Sequence, residues 1–434
     1  MNDCTIFRQR RARLLQQMGN AVAVLATAPE RQRNRDSHYP YRYDSHFYYL
    51  TGFEEPEAVL VLHAASGRSI LFCRDKDPER EIWDGFRYGP DAAAELFGFD
   101  EAYSIAQLDE RMPALLADQA ALHFALGADV IWDARVMGWL NAVRAQARNG
   151  VTAPGEVRDM RLAVDAMRLV KDESEQNLMR RSADIAGAAH RRAMQAVRPG
   201  SYEYQIEAEI LHEFRSRGAQ APAYTSIVAG GAHACVLHYV ENNALLRDGE
   251  LLLIDAGCEL DGYASDITRT FPVGGKFSAV QRDVYEMVLS AQSAALEAIR
   301  PGVSWQAPHD AAVCVLAQGM VDFGLCRGSV DGVIESGDYR RFYMHRTGHW
   351  LGLDVHDVGD YKIDGEWRQL EPGMTLTVEP GCYIRPADDV PPEFWNIGVR
   401  IEDDVLVTAQ GKEVLSAATP KTVTDIEALM AARR

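Results

Sequence analysis

Nowhere in the chain do two cysteines stand in C-x-x-C spacing. The seven present (Cys4, Cys73, Cys235, Cys258, Cys314, Cys326 and Cys382) are scattered and odd in number. That argues against a disulfide framework and against a structural zinc knot, and it fits a reducing compartment. Long apolar runs are also missing. The longest candidate near the N-terminus, A-V-A-V-L-A-T-A from Ala21, falls far short of the ~20 apolar residues of a membrane span. The Arg- and Gln-rich stretch Met1 to Met18 lacks the apolar segment of a secretory signal. A soluble, cytoplasmic protein is expected. Positive charge is scarce: 45 Lys and Arg stand against 63 Asp and Glu, a net charge of −18. A nucleic-acid or anionic-membrane partner is therefore disfavoured. Carboxylates gathered around metal ions would add to such an acidic balance.

With 434 residues the chain exceeds one compact core, and two or three domains are expected. From Ala21 to about Ala153, short apolar runs alternate with amphipathic stretches. A-V-A-V-L-A, A-V-L-V-L-H and S-I-L-F-C read as strands, and Leu108 to Leu122 and Val136 to Ala147 as helices. The expectation is an α/β layer with a mixed sheet. The aromatic stretch Tyr39 to Phe53 reads as loop plus strand, with packing or an interface as its role. Thr152-Ala-Pro-Gly reads as a linker. Two domains follow, residues 1–170 and 171–434.

In the second domain Asp172 and Glu175 form a capping-box pattern that opens a helix running to Val197. It ends at Arg198-Pro199-Gly200. A second helix, from about Ser278, ends in the same way at Arg300-Pro301-Gly302. Each is followed by another helical stretch, Glu203 to Arg217 and Ala307 to Phe323. A longer phrase recurs as well: L-R-D-G-E-L-L-L-I-D-A-G (Leu246 to Gly257) and L-E-P-G-M-T-L-T-V-E-P-G (Leu370 to Gly381). In both, an apolar strand ends in a carboxylate, Asp255 or Glu379. A carboxylate closing a buried strand is costly without a cation or many donors. Helices followed by strands in both halves suggest an α+β domain: a curved antiparallel sheet backed by helices, with a pseudo-twofold axis. Cys258 and Cys382, each after a phrase-ending glycine, read as small residues filling tight strand ends.

Asp261-Gly262 suits a type I′ hairpin turn. Centred there, Asp255 faces Thr268 and Asp266 faces Gly257, so both acids project from one face, roughly 7–8 Å apart at Cα. Glu402 lies in G-V-R-I-E-D-D-V-L-V, read as one strand with Arg400, Glu402 and Asp404 on the same face. His345, His349 and His356 lie in M-H-R-T-G-H-W-L-G-L-D-V-H-D. One His with four carboxylates is a mostly oxygen ligand set, suited to ions such as Mn²⁺. Its charge matches a dinuclear centre, which activates water and stabilises an oxyanion. Taken singly, each acid reads as a solvated strand end or salt-bridge partner, and His63 and His123 as structural. Asp357, Asp403 and Asp404 read as surface groups or supports to the site.

The phrases I-D-A-G-C-x-x-x-G-Y-A-S-D-I-T-R-T-F-P, G-H-W-L-G-L-D-V-H-D, E-P-G-M-T-L-T-V-E-P-G-C-Y-I and N-I-G-V-R-I-E-D-D resemble the "pita-bread" metallopeptidases. Within them the similarity is greatest to the Xaa-Pro aminopeptidase (aminopeptidase P) family. It extends to Y-P-Y-R…F-Y-Y-L-T-G-F-E-E-P-E-A-V-L-V-L and I-W-x-G-x-R-x-G-x-D-A-A-A-E in the N-terminal part. The resemblance implies that Asp255 and Asp266 bind one metal, and His349 and Glu379 the other. Asp266 and Glu402 would bridge, and Mn²⁺ is the usual ion. It further implies a bridging hydroxide attacking the carbonyl before a proline at position 2 of a peptide. Glu379 would shuttle the proton, His238 and His356 would stabilise the oxyanion, and His345 and His356 would wall the proline ring. Arg400 would stand beside Glu402. The family's N-terminal domain mediates oligomerisation and can border a neighbour's active site, so a homo-oligomer is expected. The segment Arg346-Thr347-Gly348 matches the family loosely.

Xaa-Pro dipeptidase (prolidase) is the nearest alternative, on the same scaffold. Methionine aminopeptidase lacks the extra N-terminal domain, and creatinase lacks the ligands retained here. A non-catalytic binding protein on this scaffold would be expected to have lost ligands.

Overall fold

The computed structural model describes residues 4–432. They divide into two compact units, Met1–Met167 and Arg168–Arg434. No helix among the described residues is long and apolar enough to cross a membrane.

The first unit is built on a six-stranded mixed sheet. Its strands are β1 (Ala21–Ala26), β2 (Val59–His63), β3 (Arg68–Cys73), β4 (Glu101–Ser104), β5 (Ala121–His123) and β6 (Glu156–Arg158), in the order β4-β3-β2-β1-β5-β6. β1, β2 and β3 are antiparallel neighbours, while β4, β5 and β6 join in parallel. Val22, Val24, Val61, Ile70 and Phe72 from the sheet pack against Leu108, Met112, Trp139 and Leu140 from helices.

Several local expectations are corrected here. The helix from Leu108 stops at Leu116, because Asp118 takes a left-handed φ of 60° and Ala121–His123 is needed to pair with β1. The next helix begins at Val130, where Asp129 caps it, not at Val136. The aromatic stretch forms a loop and a helix, Ser45–Thr51, in place of a strand. Asp44 caps that helix and Gly52 ends it at φ 64°, and its side chains are buried on every face, which erases any period. Thr152–Gly155 is no linker. Thr152 is bonded to Asp118 and Gly155 to Ala120, within the first unit.

In the second unit, the helices Glu173–Ala196, Glu203–Ser216, Ala279–Ala298 and Ala307–Asp322 match the expected spans within a residue or two. Asp172 and Glu175 form the full capping box. Each R-P-G end is tied to the opening leucine of its phrase. Gly200 N–H donates to Leu246 O at 2.9 Å, and Gly302 N–H to Leu370 O at 2.8 Å. Isolated bridges repeat the pattern, Tyr202 with Leu245 and Ser304 with Gln369.

The strands of this unit are β7 (Ala221–Pro222), β8 (Ile227–Gly230), β9 (Leu251–Asp255), β10 (Cys258–Leu260), β11 (Tyr263–Ala264), β12 (Thr268–Pro272), β13 (Lys362–Ile363), β14 (Glu366–Trp367), β15 (Thr375–Val378), β16 (Gly381–Ile384), β17 (Ile397–Arg400), β18 (Asp403–Thr408) and β19 (Gly411–Val414). They form short ladders: β11-β10-β7, β12-β9-β8, β13-β14, β15-β18-β19 and β16-β17. One apolar core runs through both halves, joining Ile254, Phe271 and Val288 to Leu376, Val399 and Val405.

Candidate metal centre

Two broken hairpins build the site. In the first, Asp255 of β9 pairs with Thr268 of β12, and Asp261 and Gly262 turn the chain with φ of 48° and 83°. Between these points the ladder parts. Gly257 lies so close to the opposite strand that a Cβ there would sit 1.7 Å from Ser265 O. Strands β10 and β11 leave for another sheet, and Asp255 and Asp266 converge at the gap. The Tyr224 hydroxyl reaches both carboxylates.

In the second hairpin, Val378 of β15 pairs with Asp403 of β18, and Gly381 of β16 with Arg400 of β17. Residues 397–407 are thus two strands in different sheets, not one. Glu379 and Glu402 face each other at the break. The two hairpins are sewn together at their gaps. Asp266 N–H donates to the Asp404 carboxylate, Glu402 N–H to Thr268 O, and Thr268 Oγ1 to Glu402 Oε2 at 2.6 Å. Arg269, fully buried, donates to Asp403 Oδ1 at 2.7 Å and to the carbonyls of Glu402, Thr419 and Pro420. Lys421 also reaches Asp403. Asp403, Asp404 and Asp357 are therefore all buried, and none is a surface group.

His349 completes the cluster. Its N–H and C=O pair with Thr377, and Gly348 lies so close to β15 that a Cβ would meet Thr377 O at 2.0 Å. The ring Nδ1 donates to Trp350 O at 2.9 Å, which leaves Nε2 facing Asp266 and Glu379, 3.4 and 3.8 Å away, where a metal ion would take the place of its proton. Such a fixed tautomer is what a metal-binding imidazole needs. Ligand atoms of Asp266, His349 and Glu402 lie within 4.8 Å of one another.

All nine residues singled out in the sequence line one cavity of about 1010 Å³: Asp255, Asp266, His349, Glu379, Glu402, His238, His345, His356 and Arg400. The His356 ring meets His349 edge-on at 4.2 Å. His238 is exposed on the cavity wall. Arg400 donates to Asp255 Oδ2 at 2.6 Å and to the Tyr383 hydroxyl, which in turn donates to His345 Nε2 at 2.8 Å. His345 Nδ1 donates to Arg346 O.

Burial dominates the electrostatics. It would raise Asp255, but the Arg400 guanidinium holds that carboxyl below its ordinary value. Asp266 is pushed up by burial and then by Asp255. Glu379 rises to about 7 and Glu402 well above the carboxylate range, by burial and neighbouring acids. Burial would depress His349, yet Asp266 and Glu379 lift it to about 9. His345 falls to about 4, through burial and Arg400. Protein cations alone do not balance these acids. An oxygen-rich donor set with one oriented imidazole fits hard or borderline divalent ions.

Tyr224, Tyr383, Thr268 and Arg269 had no separable signal. Tyr224 sits in P-A-Y-T-S without period, and the others occupy strand positions that read as core. Asp404 did share a sequence alternation with Glu402.

Residues 177–409 match metallopeptidase family M24, and residues 7–123 match the aminopeptidase P N-terminal domain. The chain is 46% identical to Xaa-Pro aminopeptidase of Escherichia coli K12, over 99% of this chain and 98% of that one. It is 35% identical to human Xaa-Pro aminopeptidase 3, over 94% of this chain and 80% of the relative. Among solved structures, Pseudomonas aeruginosa aminopeptidase PepP superposes with a TM-score of 0.98 at 50% identity, covering 99% and 98% of the two chains. Zinc-substituted E. coli aminopeptidase P in complex with product gives a TM-score of 0.97 at 45% identity, covering 100% and 99%.

Proposed function

The chain belongs to metallopeptidase family M24, and from that premise we propose that it releases the N-terminal residue from peptides with proline at the second position. The observation that carries this reading is the meeting of two buried and two half-buried carboxylates with one oriented imidazole at the breaks of two hairpins. Asp255 and Asp266 would hold one divalent ion, and His349 and Glu379 a second, with Asp266 and Glu402 shared. Mn²⁺ suits the donors. When bound, the two ions supply a hydroxide nucleophile at neutral pH and Lewis-acid stabilisation of the developing oxyanion.

The remaining work falls to the chain. Glu379, set at the hairpin break on the cavity lining, is placed to carry the proton from nucleophile to leaving proline nitrogen. His238 and His356, on the cavity wall, would donate to the carbonyl oxygen as charge develops. Arg400 fixes Asp255 and, through Tyr383, the neutral His345. X-Pro is a tertiary amide with no N–H, so the site recognises the ring by shape, with His345 on one side.

The paired ties of Gly200 to Leu246 and Gly302 to Leu370 support a curved, pseudo-twofold pita-bread arrangement of the second unit. The exposed side chains of Ile82, Trp83 and Phe86 support a homo-oligomer, and the seven free cysteines a cytoplasmic setting. The deciding experiment supplies Mn²⁺ and compares an Xaa-Pro-Yaa tripeptide, an Xaa-Pro dipeptide and an Xaa-Ala-Yaa tripeptide. Release of Xaa from the first is expected. Failure on every Xaa-Pro tripeptide overturns the reading.

A further inference from the structure

Away from the carboxylates, the cavity has a second wall of different chemistry, carrying Trp305, Tyr361, Trp367, Arg346, Lys362 and Asp360. Trp305 packs on Trp350 and Tyr361, with ring centroids 4.0 and 4.9 Å away. The β13–β14 hairpin sets Lys362 directly opposite Trp367. Lys362 Nζ lies 4.5 Å from the centre of the indole, and the guanidinium carbon of Arg346 lies 4.7 Å from it. One aromatic ring thus anchors two cations, an attraction that holds both side chains in place.

Among the described residues, neither cation forms an ion pair with a carboxylate. Arg346 donates to the neutral side-chain oxygen of Gln306. Asp360 is the one acid on this wall, and it pairs with neither cation. In a chain of net charge −18, two exposed cations that share one ring on the lining of the catalytic cavity, with no carboxylate partner, call for more than solubility. The alternative is a pair of solvated side chains resting on a tryptophan.

Direction decides between them. Arg346 follows His345, the residue set against the proline ring, and its carbonyl accepts the His345 Nδ1–H. On the Xaa-Pro peptidase reading, the scissile carbonyl and the free amino terminus of the peptide lie at the carboxylate end of the cavity. On the same reading the chain past proline passes Arg346, which adjoins His345 on the cavity lining. A short peptide carries its negative charge at that far end, so its charges and those of the cavity run in complementary order.

We propose that Arg346 and Lys362, seated on Trp367, form a subsite for a carboxylate that the substrate carries downstream of proline. The guanidinium offers a planar fork to that group and the ammonium a point charge. Two sources share this chemistry: the C-terminus of a tripeptide, or an acidic side chain further along a longer peptide. The inference rests on the Xaa-Pro peptidase reading.

The test uses the full-length, Mn²⁺-loaded protein and measures ratios of kcat/KM. Xaa-Pro-Yaa acid is compared with its C-terminal amide, and Xaa-Pro-Ala-Glu-amide with Xaa-Pro-Ala-Gln-amide. The charged member of at least one pair is expected to be preferred about three- to tenfold, through KM, as for partly exposed ion pairs. The preference shrinks as salt is raised. In the R346Q/K362Q double variant the ratio collapses to about one, and Arg346→Lys restores part of it. Each ratio is taken on one protein preparation, so a general loss of folding lowers both members and leaves it intact. A ratio of one in the parent for both pairs, or a ratio that survives the double substitution, overturns the subsite while leaving the peptidase reading standing. No cleavage of any of the four peptides overturns both.

Discussion

At the scale of single residues, the site depends on what orients the ligands as much as on the ligands themselves. The Tyr224 hydroxyl lies within hydrogen-bond reach of both Asp255 and Asp266, the two acids proposed to hold one ion together. Tyr224→Phe should weaken Mn²⁺ binding about 10- to 100-fold, the usual cost of losing an outer partner of a ligand, as read by calorimetric titration of metal-free protein. An unchanged affinity would show that the hydroxyl only fills space. Glu402→Ala removes a proposed ligand and its bond from Thr268. Metal content should fall and Xaa-Pro-Yaa hydrolysis should be lost. If activity survives at the parent level, Glu402 is not part of the centre.

At the scale of elements, the approach of the strands positions the acids. Gly257 leaves 1.7 Å between a would-be Cβ and Ser265 O, so Gly257→Ala must push β10 away from its partner. A destabilisation of about 1–3 kcal/mol is expected from such overpacking, with metal affinity falling alongside it, both measurable by denaturant titration with and without Mn²⁺. The loop that carries His356 is anchored differently. Asp357, buried, accepts from Arg168 and from Lys171 at 2.8 Å. Burial opposes its charge, but Lys171 and Arg168 hold the carboxyl below its ordinary 3.8. The folded value is therefore the lower one, so the contribution is complete above about pH 4 and fades as pH falls through the depressed value. Asp357→Asn should cost about 3 kcal/mol at pH 7 by stranding buried Lys171 and leaving Arg168 with Asp354 as its remaining acid. The gap to the parent should narrow in denaturant titrations below pH 4. A gap that stays constant with pH would show that the charge plays no part.

How much of this was legible follows from the same scale. The hairpin turn at Asp261-Gly262, and hence the pairing of Asp255 with Thr268, could be read because turn chemistry and a period of two are local. The capping box at Asp172 was local as well. The break between Arg400 and Asp403 was not, since the alternation runs through it unchanged and only packing against the other hairpin opens it. Burial of Asp403 and Asp404 escaped for a related reason. Their partners, Arg269 and the Asp266 N–H, lie in the other half of the chain. The helix at Ser45–Thr51 was hidden because a short helix buried all round has no polar face.

At the scale of the whole molecule, a carboxylate cluster held by divalent ions is expected to tie the second unit's stability to metal. Without a cation, Asp266, Glu379 and Glu402 are pushed towards protonation. A divalent ion held by the proposed ligands would bind the folded site and not the dispersed side chains of the unfolded chain. Chelation should therefore lower the thermal midpoint, and Mn²⁺ at about 100 times its Kd should restore about 2.7 kcal/mol. A midpoint indifferent to chelator would show that the cluster is already balanced by the protein.

Arg269 and Glu402, joined by a bond from guanidinium to carbonyl, are 133 residues apart in sequence. A ribosome extending the chain exposes Asp255 and Asp266 long before Glu379 and Glu402 exist. Until the last strands emerge, those first two acids have neither their metal partners nor the Arg269–Asp403 tie. On the proposed ligand set, a chain cut short before Glu402 would lack a shared ligand, and would be expected to be not a weakened peptidase but an unmetallated one.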